Sequence, residues 1–179
     1  MPIPYGPAMR NGRKNRGFKD LRGKPEQAAA ISEARESPML RELLAAAALP
    51  AARLFTVGCD LGGHRLRGQR KFRWPEVKGG YIQFALRDYA EATPEEYLLE
   101  ARSFEDLLRP SSRGHRWRVV MHLRHHCIFR LGQAPETIAP TLAVHFWASG
   151  FDAAAALMSR EALLAALKGN LLACPCGDI

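Results

Sequence analysis

No stretch of this 179-residue sequence is apolar for the roughly 20 residues that cross a bilayer. Nor does an apolar core follow the basic N-terminus, as a secretory signal would require. The expectation is a cytoplasmic chain with no membrane partner. Cysteine is scarce, and in that compartment Cys59, Cys127, Cys174 and Cys176 are expected to be thiols, not a disulfide framework. Cys59 and Cys127 fall in apolar strand-like runs and read as core. Cys174 and Cys176 form a lone C-x-C, without the paired spacing of a structural zinc site. The sequence also lacks a Walker motif, G-x-G-x-x-G, G-x-S-x-G and H-E-x-x-H, so the stronger nucleotide-binding and hydrolytic signatures are absent. No cofactor is expected.

Acidic residues are missing from whole segments. Residues 113–130 hold five arginines and no acid, and residues 64–78 hold six Lys or Arg against Glu76 alone. Residues 1–24 carry seven basic residues and one acid, so six of the eight net positive charges lie there. With four glycines and three prolines, this part is expected to be a basic flexible tail, with residues 25–179 a single domain. Arg13, Lys14 and Arg16 are its candidate polyanion contacts, acting through counterion release.

What is present is patterned. Residues 25–36 have the alanine and glutamate content of a helix, and Ser37-Pro38 starts a second one over 38–49 that Pro50 ends. Residues 53–61 alternate Phe55, Val57, Cys59 and Leu61 as a strand, and residues 79–89 do the same with Ile82, Phe84 and Leu86. Thr93-Pro94-Glu95-Glu96 combines an N-cap, an N1 proline and a capping-box glutamate. The helix it begins should reach Arg109 and bury Tyr97, Ala101, Phe104 and Leu108. Residues 140–150 form another strand, with Leu142, Val144 and Phe146 inward, and residues 151–170 a last helix. The order α-α-β-β-α-β-β-α predicts an α+β fold: an antiparallel or mixed four-stranded sheet with helices mainly on one face.

The run HRWRVVMHLRHHCIFRL at 115–131 is the most unusual. Trp117, Val119, Met121, Leu123, Cys127, Phe129 and Leu131 are expected on one face. Arg116, Arg118, His122, Arg124, His126 and Arg130 are expected on the other. On a regular strand His122 and His126 stand about 13 Å apart, too far to share a metal, so no metal site is assigned. Zinc would need a ligand such as His145 from another strand. Instead the arginines predict a cationic sheet face, joined by Tyr81, Arg87 and Trp147. Guanidinium groups bind phosphates and aromatic rings stack on unpaired bases. The expected function is binding of nucleic acid or another polyanion.

Two alternatives remain. In TVGCDLGGHRLRG, Asp60 would orient His64 for proton transfer, with Arg65 near the glycine turn for a phosphate. This would make the chain a phosphate-handling enzyme. The same cationic face would equally grip an acidic protein partner.

Overall fold

The computed structural model describes residues 2–3, 19–62, 76–111, 116–132 and 134–172. Ser37 opens the first helix, α1 (Pro38–Ala48), accepting a hydrogen bond from the Leu40 N–H at 3.0 Å while Pro38 occupies N1. Thr93 and Glu96 form the reciprocal capping box at the start of α2 (Pro94–Ser111), which runs two residues beyond the expected Arg109. In α3 (Ala153–Leu172) the Asp152 carboxylate accepts from the Ala155 N–H at 2.7 Å. The helix expected over 25–36 is instead two 3₁₀ segments, Pro25–Ala30 and Glu33–Arg35. Each buries a single alanine, Ala28 or Ala34, so helix propensity there has no apolar stripe to dock.

Five strands form one sheet: β1 (Pro2–Ile3), β2 (Leu54–Asp60), β3 (Glu76–Leu86), β4 (Arg116–Phe129) and β5 (Thr137–Gly150), in the order β1-β4-β5-β3-β2. The four long strands pair antiparallel, and only the two-residue β1 runs parallel to its neighbour β4. The fold is α+β, with the three α-helices of the described residues against one face of the sheet.

That face receives Ile82, Phe84 and Leu86 from β3, Leu142, Val144 and Phe146 from β5, and Trp117, Val119, Met121 and Leu123 from β4. Tyr97 and Phe104 of α2 and Leu163, Leu164 and Leu167 of α3 close over them. Full burial of each such side chain stabilises the fold by roughly 1.5–3 kcal/mol. Phe84 and Phe104 stack with centroids 5.6 Å apart. The buried Tyr97 phenol oxygen accepts from the Leu86 N–H at 3.0 Å, which satisfies both groups. Gly150 is required where β5 turns into α3, because a Cβ there would lie 2.3 Å from the Ala156 nitrogen.

The opposite face has its own apolar cluster at one end: Ile3, Phe55, Val57, Tyr89, Cys127, Phe129, Leu131 and Ala139. Tyr89 stacks on Phe129 with centroids 4.3 Å apart. This corrects the single-face alternation expected for residues 117–131. A bulge lies between Arg124 and Cys127, whose partners on β5 are Thr141 and Ala139. His125 and His126 together take the one position opposite Pro140, and every residue beyond them changes side.

The ends of the segment expected as a tail are built into the domain. Ile3 is fully buried in the sheet, Leu21 is buried in the helix-side core, and the Gly23 N–H donates to the Ala48 carbonyl at 2.8 Å. The Arg22 guanidinium pairs with Asp20 at 2.7 Å and lies 4.7 Å over the Phe55 ring.

Candidate nucleic-acid interface

Strand register sets out the face opposite the helices row by row. Arg118 is paired with Trp147, and Trp147 with Gly79. Val120, His145, Tyr81 and Asp60 form the next row across four strands, followed by His122, Ala143, Gln83 and Gly58. Arg116 stands opposite Ser149 and Arg124 opposite Thr141. Arg116, Arg118, His122 and Arg124 therefore share this face, as their spacing predicted. Neither β4 nor β5 contains an acidic residue.

The rings beside them form a connected group. His122 meets His145 edge-on at 5.2 Å between centroids, His145 lies 5.6 Å from Tyr81, and His145 stacks with Trp147 at 6.4 Å. Arg116, Arg118 and His122 are exposed; Arg124, Tyr81 and His145 are half-buried. Trp147 is buried, at 7% exposure, and so is not an open stacking platform. Its ring lies against Gly79, where a Cβ would come within 3.0 Å of Trp147 Cδ1.

The remaining expected contacts are placed elsewhere. Arg87 leaves the end of β3 to donate to the carbonyls of Ala52 at 2.5 Å and Ala47 at 3.2 Å, and to that of Leu49. It caps the C-terminus of α1, where no basic residue of the helix itself is available. Arg130 lies beyond the bulge and is paired with Glu136 at 2.6 Å. His126 sits on the bulge, its ring 6.4 Å from that of His125, outside the arginine row. The example of a cross-strand zinc ligand was His145 beside His126; His145 is instead next to His122. Among the described residues, no three His, Cys, Asp or Glu side chains are placed to hold a metal ion.

Asp60 ends β2, and its Oδ1 accepts the Gly62 N–H at 2.5 Å, an Asx turn. Its proposed companions His64 and Arg65 lie outside the described residues, as do Arg13, Lys14, Arg16, Cys174 and Cys176. Cys59 and Cys127 are separate free thiols. Burial pushes the Cys59 thiol up to about 12, so it stays protonated near neutrality. Cys127 belongs to a buried polar triplet that alternation did not reveal. Gln83 Nε2 donates to Thr141 Oγ1 at 2.7 Å, and Cys127 Sγ lies 3.2 Å from the same oxygen. Comparison of the chain with protein-family models, curated proteins and solved structures gives no match.

Proposed function

We propose that this protein binds nucleic acid through the first nine residues of β4, with Arg116, Arg118 and Arg124 as phosphate contacts. His122 supplies a further hydrogen-bond donor. What supports the reading is the register, which sets three guanidinium-bearing positions and His122 along one side of an acid-free strand. Side chains two apart on a strand stand roughly 7 Å from each other, so the row spans roughly 27 Å. An extended single strand can follow such a line. Tyr81 and His145 are half-buried rings within the same patch and offer partial stacking surface beside it.

Fluorescence anisotropy with short single-stranded and duplex probes at two salt concentrations tests the proposal. Binding should weaken with salt on a log–log slope set by the phosphates neutralised, about 0.7 per contact for a single strand. Arg116→Ala/Arg118→Ala/Arg124→Ala together should reduce both the affinity and that slope. Unchanged binding in this variant, with affinity lost instead in Arg13→Gln/Lys14→Gln/Arg16→Gln, would reject the sheet surface and leave the N-terminal segment as the contact. A shallow salt response with an acidic protein ligand would indicate a protein interface instead.

A further inference from the structure

On the helix side, across the sheet from the arginine row, α2 carries an acid where its buried stripe calls for an apolar residue. Glu100 lies between Tyr97 and Phe104, both fully buried, and is itself only 9% exposed. Among the described residues its one partner is Arg53, whose Nη1 lies 2.8 Å from Glu100 Oε1. A carboxylate has about four lone-pair sites, so this pairing leaves a buried anion under-satisfied. Burial accordingly raises the Glu100 pKa, and Arg53 only partly offsets it.

Glu100 is not enclosed by packing. It lines a cleft of about 340 Å³ between the end of α1, the start of β2, α2 and the end of α3. That volume is at the lower end of the range for small-molecule sites. Its walls are leucines, among them Leu49, Leu99 and Leu172, each more than a third exposed at the rim. One turn along α2 from Glu100, Ser103 Oγ donates to Asn170 Oδ1 at 2.6 Å, which leaves the Asn170 amide N–H groups as further donors to the cleft.

We infer that this cleft binds a small zwitterion with an aliphatic body, of the class of leucine or valine. The ligand ammonium would fill the open acceptor sites of Glu100, and its carboxylate would take the Arg53 donors that Glu100 leaves unused. The aliphatic chain would lie among the leucines. A simple amine would add net positive charge to an already balanced pair, and a simple acid net negative charge; a zwitterion adds neither, so its burial is the least costly of the three. The site is separate from the proposed nucleic-acid surface and does not depend on it.

Isothermal titration calorimetry of the full chain with L-leucine tests the inference, with isopentylamine and 4-methylpentanoate as single-charge controls. Leucine should bind, and each control should bind at least about tenfold more weakly. Glu100→Gln should weaken leucine binding by about tenfold or more, while thermal melting shows the variant folded. Leu99→Arg, at an exposed rim position, reads the same loss without touching the ion pair, should Glu100→Gln fail to fold. No heat and no thermal shift with leucine or valine up to about 10 mM would overturn the inference. So would equal binding of the amine, or leucine binding that both variants leave unchanged.

Discussion

Arg124 and Cys127 lie on the same face of β4 although three positions separate them, because His125 and His126 share the place opposite Pro140. The bulge divides the strand into a half that presents arginines and a half that presents Cys127 and Phe129 to a second apolar cluster. The inserted residue sets the register of everything beyond it. His126→Ala keeps the inserted residue and with it the register, so it should cost about 1 kcal/mol or less. Deleting His126 restores strict alternation and drives the fully buried Phe129 out of its cluster, so the loss should reach about 3 kcal/mol or more. Urea unfolding of the two variants measures the difference. Similar midpoints would contradict the bulge.

Arg87 joins the end of β3 to three carbonyls at the end of α1. Arg87→Met keeps the length of the side chain and removes all its donors, at an expected cost of about 1–3 kcal/mol. Arg87→Lys should recover only part of this, since a single ammonium cannot reproduce the fork. Nucleic-acid affinity should be unchanged in either variant once folded. A selective loss of affinity with an unchanged unfolding midpoint would return Arg87 to the binding surface.

The fold was legible wherever one local rule acted alone. Ser37-Pro38 and Thr93-Pro94-Glu95-Glu96 announce helices because caps satisfy backbone groups within a few residues. Alternation in β3 and β5 follows from one face being packed under helices. Three features were not legible for a common reason, which is that each depends on a distant segment. A bulge on β4 is defined by its register with β5. Arg87 looks like an outward strand residue until α1 ends beside it. Trp147 looks exposed by parity and is buried against Gly79 of β3. Glu100 did leave a local signal, an acid on an apolar stripe, but its meaning needs the cleft formed by α1, β2 and α3.

The two described thiols should be chemically silent in the native state. Cys59 is held protonated by burial, and Cys127 is 1% exposed. In a chain carrying Cys174→Ser and Cys176→Ser, a thiol reagent at neutral pH should label the buried Cys127 no faster than the sheet unfolds and the half-buried Cys59 far more slowly than an ordinary exposed thiol. Denaturant should release two equivalents. Rapid native labelling of one thiol would show that part of the sheet opens far more easily than its packing implies.

Ser37 is fully buried and serves two elements at once: it caps α1, and its hydroxyl donates to the Glu161 carboxylate of α3, with oxygens at 2.8 and 2.9 Å. Ser37→Ala should cost about 1–2 kcal/mol, toward the upper range for a lost N-cap, because Glu161 also loses a partner. Ser37→Asp would keep the cap but set two carboxylates against each other. It should be the worse of the two near neutral pH and improve as the pH is lowered. Chemical denaturation of both variants at two pH values separates the contributions.

Glu100 gives a pH dependence whose sign follows from its raised pKa. Burial makes the folded protein hold the Glu100 proton more tightly than the unfolded chain does, with Arg53 opposing this in part. The protonated form is therefore the one that favours folding, and the benefit is lost as pH rises from the unfolded pKa through the folded one. Glu100→Gln imitates the protonated form at every pH. Its stability relative to the wild type should rise with pH from the ordinary glutamate range to the raised folded pKa and level off above it. Arg53→Met should steepen the wild-type trend, because nothing then offsets the burial of the charge. Unfolding free energies of the three proteins across that interval provide the test, and a wild-type advantage that grows with pH would mean that Arg53 outweighs burial and that the cleft holds a fully satisfied carboxylate.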